Sequence, residues 1–211
     1  MALGWSRRSS RFLSPKLANL LGLVTAALIF GMLIDDVLMR GALRVVDNSS
    51  RLTDAIMPAD DAVPQDPLKS GSAASLVAWE DIGRMGRSFV ASVPDVDSIS
   101  EFWGAPAQKP LRVYVGLNAA VKPQARAQLA FDELARVGGF ERSVLVIAMP
   151  TGSGWLDPGA MDSLDFITRG DVATVAVQYS YLPSPVSVVV DPTHGIDEAP
   201  AWTCRGLVPL L

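Results

Sequence analysis

A glycine-rich loop is the stretch of this chain best suited to bind a ligand. Its members are Thr151, Gly152, Ser153, Gly154 and Trp155. The loop follows an apolar run that ends at Met149, and glycines allow its backbone to point N–H groups at a phosphate or an oxyanion. The competing interpretation is a turn that only redirects the chain, with Trp155 packed over the edge of the domain.

The other residues that could do chemistry are few. The sequence contains neither of the common phosphate-binding motifs, G-x-x-x-x-G-K-[ST] and G-x-G-x-x-G, and no G-x-S-x-G nucleophile elbow. Ser153 has glycine immediately on both sides, so it is not an elbow serine. A serine nucleophile needs a neighbouring base, and the one histidine of the chain is His194. We therefore assign no catalytic residue.

The sequence gives little support for a metal site or a nucleic-acid-binding site. One cysteine, Cys204, and one histidine exclude a site built from several such ligands. Asp157, Asp162 and Asp165 follow the loop; we interpret Asp157 as a helix N-cap and the other two as a solvated face. The net charge of −4, without a basic stripe, argues against nucleic-acid binding. We expect no metal and no cofactor, and the partners to be a lipid bilayer and an unknown small molecule.

Strand-like and helix-like segments alternate from Leu111 onward. Runs rich in β-branched residues predict strands at Leu111–Val115, Ser143–Met149, Val172–Gln178 and Val186–Val190. One helix is predicted after Pro123, with Ala127, Leu129, Ala130, Leu134 and Ala135 on its apolar face. The next is predicted from Asp157 to about Thr168, with Met161, Leu164 and Ile167 facing inward. This alternation predicts an α/β fold with a mostly parallel sheet.

The segment Leu17–Ile34 contains no charged residue and predicts a transmembrane helix, for which roughly 18 apolar residues suffice. Four basic residues precede it, and Asp35 and Asp36 follow it. The positive-inside rule then places the N-terminus in the cytoplasm and the α/β part outside. A cleaved signal peptide and a buried core helix are the alternatives. The absence of an A-x-A site opposes the first, and the lack of polar residues at helical spacing opposes the second.

The predicted organisation has four parts. Residues 1–46 form the tail and membrane helix, 47–110 a linker, 111–192 a partial α/β domain and 193–211 an anomalous tail. Within the linker, prolines and a Ser/Gly/Ala stretch indicate loops. Leu76–Val93 has apolar residues at roughly helical spacing, and Ser98–Trp103 predicts a short helical turn.

Four ordered blocks of the sequence are similar to a known family. They are PLKSGSAASLVAWEDIGRMGRSFV from Pro67, LRVYVGLNAA from Leu111, SVLVIAMPTGSGWLDP from Ser143 and RGDVATVAVQYSYLPSPVSVVVDP from Arg169. They resemble the bacterial integral-membrane α/β-hydrolase-like family, which joins a membrane domain to a C-terminal α/β-hydrolase-type domain. The resemblance extends over about residues 17–192.

This resemblance implies that Leu17–Ile34 is the last helix of the membrane domain and that Thr151–Trp155 supplies part of an oxyanion hole. The serine elbow, acid and histidine of such hydrolases would come later than the matching blocks. We therefore expect a membrane-anchored fragment without the elbow, whose full-length relatives are serine esterases. The alternative is a non-catalytic membrane protein with an extracytoplasmic domain that binds a ligand or a partner.

Overall fold

A computed structural model describes residues 19–26, 54 and 62–182. The chain divides into two compact units, Met1–Val46 and Asp47–Leu211. In the first unit, residues 19–26 are helical, and Leu20, Leu21 and Leu23 are exposed. Within the described part of the chain, no helix is long and apolar enough to cross a bilayer. Most of the predicted transmembrane segment lies outside the described residues.

The second unit contains a three-stranded parallel sheet, as the strand–helix alternation predicts. The strands are β1 (Leu111–Val115), β2 (Val144–Ala148) and β3 (Val172–Val177). Their order is β1-β3-β2, so β3 pairs with both neighbours. Leu111 is opposite Ala173, and Val144 is opposite Val172. The carboxyl ends of all three strands therefore meet at one edge of the sheet. The predicted strand Val186–Val190 lies outside the described residues.

Four α-helices accompany the sheet. They are α1 (Arg84–Ala91), α2 (Val96–Trp103), α3 (Pro123–Arg136) and α4 (Pro158–Ile167). Single 3₁₀ turns lie at Trp79–Asp81, Leu117–Ala119 and Gly139–Glu141. The connection from β1 to β2 passes over the position of β3, and the connection from β2 returns to it. Because crossovers between parallel strands are almost always right-handed, these two connections, which run in opposite directions, are expected to place α3 and α4 on opposite faces of the sheet.

Local sequence signals set the helix ends. Both α3 and α4 begin with proline, which needs no N–H partner in the first turn. The carboxylate of Asp157 accepts a hydrogen bond from the Ala160 N–H at 2.8 Å, which confirms the predicted N-cap. Gly138, with a φ of 73°, follows the end of α3 in the left-handed conformation common there.

Both faces of the sheet are covered, because every residue of β1 and β3 is buried. Residues before the sheet contribute to this core: Val77, Trp79, Ile82, Phe89 and Val90 belong to the same cluster as the strands. In β2, by contrast, Leu145 and Ile147 are partly exposed. An apolar run such as Ser143–Met149 is typical of a buried strand, but β2 is an edge of the described sheet and pairs only with β3.

The inward face of α4 differs from the prediction. Ile167, predicted to face inward, is 73% exposed, whereas Asp165, predicted to be solvated, is 1% exposed. Arg112 of β1 explains the difference, because its buried guanidinium donates to Asp165 at 2.6 and 3.1 Å. It also donates to Asp162 at 2.7 Å, although that side chain remains partly exposed. A cation buried in a strand requires a carboxylate on the covering helix.

A second buried carboxylate, Glu133, joins α3 to the segment before the sheet. It accepts hydrogen bonds from the Ser75 hydroxyl at 2.7 Å and the Leu76 N–H at 2.9 Å. The guanidinium of Arg136 donates to it twice, each time at 2.8 Å. Glu133 is fully buried, whereas Ala135, which the sequence predicted on the apolar face, is exposed. The core-facing side of α3 thus carries the negative charge of Glu133, which accepts four hydrogen bonds.

We expect Glu133→Gln to lower the free energy of unfolding by about 2 kcal/mol at pH 7, because one acceptor is replaced by a donor facing other donors. Burial alone would raise the pKa of Glu133, but hydrogen bonds from Arg136, Leu76 and Ser75, with the Arg136 charge, hold it below its ordinary 4.5. A carboxyl pKa that is lower in the folded state contributes stability that is fully present above the unfolded-state pKa. This contribution is lost as the pH falls through the folded-state pKa.

The difference in stability between wild type and Glu133→Gln should therefore be full at pH 7 and shrink below about pH 4.5. Urea unfolding at several pH values measures it. Glu141→Gln is the matched control, since Glu141 is exposed. Equal midpoints for the two variants at pH 7 would show that the Glu133 contacts do not stabilise the fold.

Candidate functional site

The loop Thr151–Trp155 lies at the carboxyl end of β2, between that strand and α4. In open α/β sheets, ligands bind in the crevice outside the carboxyl ends of the strands. The segments after β1 and β3 reach the same edge of the sheet, because all three strands are parallel. The position of the loop is therefore compatible with the predicted ligand site.

Hydrogen bonds within the loop hold it as a closed turn. The Gly154 N–H donates to the Thr151 carbonyl at 2.8 Å, and the Thr151 N–H donates to the Trp155 carbonyl at 2.9 Å. The Trp155 N–H donates to the Thr151 hydroxyl oxygen at 3.2 Å. Three of the backbone donors of the loop are thereby used within the loop itself.

Ser153 supplies a further backbone donor. Its backbone N–H has no acceptor among the described residues. Its hydroxyl lies 3.2 Å from the hydroxyl of Thr151, with which it shares a hydrogen bond. The N–H group at the crest of a tight turn is suited to an anion, since it is fixed in direction before the anion arrives.

Gly154 fits a space that admits no side chain. Its φ of 87° lies in the left-handed region, which other residues rarely adopt. A Cβ atom there would lie 2.5 Å from the hydroxyl oxygen of Tyr114 and 3.1 Å from the amide of Gln178. The Tyr114 hydroxyl donates to the Gly154 carbonyl at 2.8 Å. The turn thus rests directly on two buried polar side chains.

Gln178 follows β3 and links several segments beneath the loop. Its backbone N–H continues the sheet pairing by donating to Val115 at 2.9 Å. Its side-chain oxygen accepts from the Leu117 N–H at 3.3 Å, and its Nε2 donates to the Ser180 carbonyl at 3.0 Å. Since Gln178 is 1% exposed, these contacts replace the water that its amide loses on burial.

Asp54 adds a negative charge to this buried cluster. One carboxylate oxygen accepts from the N–H of Arg84 at 3.0 Å, and the other lies 3.5 Å from Nε2 of Gln178. Burial raises the pKa of the Asp54 carboxyl, against the effect of those hydrogen bonds and of Arg87 and Arg84. Burial, and then the charge of Asp54, also raise the pKa of Tyr114. The phenol therefore stays protonated and remains a hydrogen-bond donor.

The described residues bring together only part of what the sequence singled out. All five loop residues lie in one turn, and the Trp155 side chain is 42% exposed. Tyr181 donates to the Asn118 side chain at 2.6 Å, in the neighbouring loop after β1. Within the described ranges, no three His, Cys, Asp or Glu side chains are placed to hold a metal. His194, Trp202 and Cys204 lie outside those ranges.

Sequence reasoning missed Tyr114, Gln178 and Asp54. The sequence pattern identifies Tyr114 only as a strand residue and places Asp54 only within the linker. A signal for Gln178 was available, because it is a polar residue at the carboxyl end of a buried apolar run. The contacts of the other two depend on long-range packing that no local pattern encodes.

Comparison with known families gives two adjoining matches. Residues 2–94 match a family model described as the α/β-hydrolase family N-terminus, and residues 111–203 match the α/β-hydrolase family. Together the two matches extend over most of the chain. No curated protein and no solved structure matches it.

Proposed function

Because the chain belongs to the α/β-hydrolase family, we propose that it is a membrane-anchored protein whose α/β unit has the oxyanion-binding part of an ester hydrolase. In enzymes of this type, one donor of the oxyanion hole comes from the loop after an early strand. The loop after β2 also follows an early strand of the described sheet, which supports this assignment. The proposal assigns binding to Ser153 and its turn, and leaves the acyl substrate unnamed.

The observation that carries the proposal is that the N–H of Ser153 has no acceptor among the described residues, whereas the N–H groups of Thr151, Gly154 and Trp155 are bonded within the turn. Attack on an ester carbonyl produces a tetrahedral intermediate with a negatively charged oxygen. A backbone N–H about 3 Å from that oxygen stabilises it more than the planar ester, and this difference lowers the barrier. The donor must be fixed in advance, which is what the hydrogen bonds of the turn accomplish.

No residue of the described ranges is assigned as the nucleophile. The hydroxyl of Ser153 interacts with the Thr151 hydroxyl at 3.2 Å, which cannot act as a base at neutral pH. The printed sequence contains no G-x-S-x-G motif. The contact between the Ser153 and Thr151 hydroxyls also favours the second candidate function. In that function, a non-catalytic domain binds an anionic ligand or a partner at the same turn.

Membrane anchoring is proposed from the sequence. The uncharged run at residues 17–34 is long enough to span the hydrocarbon core. Arg7, Arg8, Arg11 and Lys16 precede it, so the N-terminus is assigned to the cytoplasm and the α/β unit to the outside. The proposed partner of the first unit is thus the lipid bilayer.

We expect the protein to remain in the membrane pellet after washing with alkaline carbonate, with residues 1–16 intact. Leu23→Arg combined with Leu28→Arg should release it, because each arginine at the helix centre costs roughly 3 kcal/mol. Leu13→Arg, outside the run, is the control and should not release it. A soluble wild-type form beginning near residue 40 would show a cleaved signal peptide and refute the anchor.

The oxyanion assignment predicts a preference for tetrahedral anions. In a titration of the ¹⁵N-labelled full chain in detergent micelles, methylphosphonate should shift the Ser153 amide resonance. It should bind at least about tenfold more tightly than planar acetate, since the site is complementary to the tetrahedral intermediate. Gly154→Ala should abolish the shift, because its Cβ would lie 2.5 Å from the Tyr114 oxygen.

Gly104→Ala is the matched control. Gly104 also has a positive φ, of 60°, but a Cβ there meets no atom within 4 Å. The variant should therefore carry the backbone strain without disturbing the loop, and methylphosphonate binding should persist. Equal affinity for acetate and methylphosphonate would favour the non-catalytic function. Stoichiometric labelling of Ser153 by a fluorophosphonate probe would contradict the assignment by identifying a nucleophile.

A further inference from the structure

We infer that Tyr114 and Gln178 are positioning residues that fix the Thr151–Trp155 turn for anion binding from beneath, without contacting the ligand themselves. This inference rests on the proposed function, since it explains how the N–H of Ser153 keeps its direction. It assigns a role to two buried side chains that the packing of the core alone does not require.

Tyr114 acts through the carbonyl of Gly154. The tyrosine lies in β1, which the sheet pairing fixes, and its ring packs against Phe89 with the ring centroids 6.0 Å apart. Its hydroxyl, 2.8 Å from the Gly154 carbonyl, is therefore a fixed donor within a rigid strand. The Gly154–Trp155 peptide is held at both ends, because its N–H donates to the Thr151 hydroxyl. A peptide held in this way cannot rotate.

Gln178 acts by contact. Its side-chain amide is already bonded to Leu117 and Ser180, so its orientation is set independently of the loop. A Cβ at Gly154 would come within 3.1 Å of this amide, so the amide lies directly beside the glycine and restricts the space around it. Asp54 lies 3.5 Å from Nε2 of Gln178 and adds a further contact to this amide.

The two contacts constrain the turn in different ways. Tyr114 fixes the peptide that follows the crest of the turn, and Gln178 limits sideways movement of Gly154. The direction of the Ser153 N–H is thus fixed by Tyr114 and Gln178, whose side chains are both buried. Loss of the Tyr114 hydroxyl should leave the strand in place, because phenylalanine fills the same volume, but should release the loop.

The test uses ¹⁵N relaxation of the full chain in detergent micelles, comparing wild type with Tyr114→Phe. Order parameters of amides in rigid backbone are about 0.85, and those of flexible backbone fall below about 0.6. We expect values near the first for residues 152–155 in wild type and near the second in Tyr114→Phe. Amides of β1 and β3 should keep wild-type values. The methylphosphonate dissociation constant should rise about tenfold, the equivalent of one lost neutral hydrogen bond.

Tyr181→Phe is the matched control, because it removes a phenol that donates to the Asn118 side chain at the same edge of the sheet. It should leave residues 152–155 rigid. Gln178→Leu tests the contact between the Gln178 amide and Gly154. It should lower the order parameter of Gly154 without altering the hydrogen bond from Tyr114. Unchanged loop order in Tyr114→Phe, or an equal loss of order in the strands, would overturn the inference.

The relaxation data separate this inference from the proposed function. If wild type binds no methylphosphonate and Tyr114→Phe still loosens the turn, the positioning role stands and the oxyanion assignment fails. If wild type binds methylphosphonate and the turn stays rigid in Tyr114→Phe, the positioning role fails and the oxyanion assignment stands.

Discussion

Parallel pairing of β3 with both β1 and β2 is the constraint on which the rest of this structure depends. Parallel strands require crossover connections, which place helices on the two faces and bury β1 and β3 completely. The same pairing gathers the carboxyl ends of the strands at one edge. The Thr151–Trp155 turn, Gln178 and the segment after β1 are neighbours only because three separate parts of the chain end there together.

Complete burial of a strand leaves its polar side chains to be paired inside the protein. Arg112 and Tyr114 lie two residues apart in β1, and both are buried. Arg112 pairs with Asp165 of α4, near the start of β1. Tyr114 donates to Gly154 in the loop that precedes α4. One strand therefore fixes both the helix and the loop that leads into it, and it does so with two polar contacts rather than apolar packing alone.

The strands could be predicted from the sequence because dense runs of β-branched residues mark buried strands. The predicted Leu111–Val115 coincides with β1, and the predictions for β2 and β3 differ by no more than one residue at each end. The start of α4 followed from Asp157 and Pro158. Signals of this kind are local, and their meaning does not depend on distant parts of the chain.

The buried faces of the helices could be predicted only in part. Ala130 and Leu134 are buried as predicted, but charges occupy other core-facing positions. Asp165 and its partner Arg112 are 53 positions apart, and Glu133 is 58 positions from Ser75. Without knowledge of those partners, periodicity assigns each carboxylate to the solvent. The support of the loop also depends on distant pairs: Tyr114 is 40 positions from Gly154, and Gln178 is 124 positions from Asp54.

The central claim is that the turn is preorganised, with the N–H of Ser153 left without an acceptor among the described residues while the N–H groups of Thr151, Gly154 and Trp155 are bonded. Amide hydrogen exchange of the ligand-free full chain, followed residue by residue, tests it most directly. Corrected for intrinsic rates, the Thr151 and Gly154 amides should exchange at least about tenfold more slowly than that of Ser153. Protection of Ser153 equal to theirs, or unprotected exchange at all three amides, would contradict the claim.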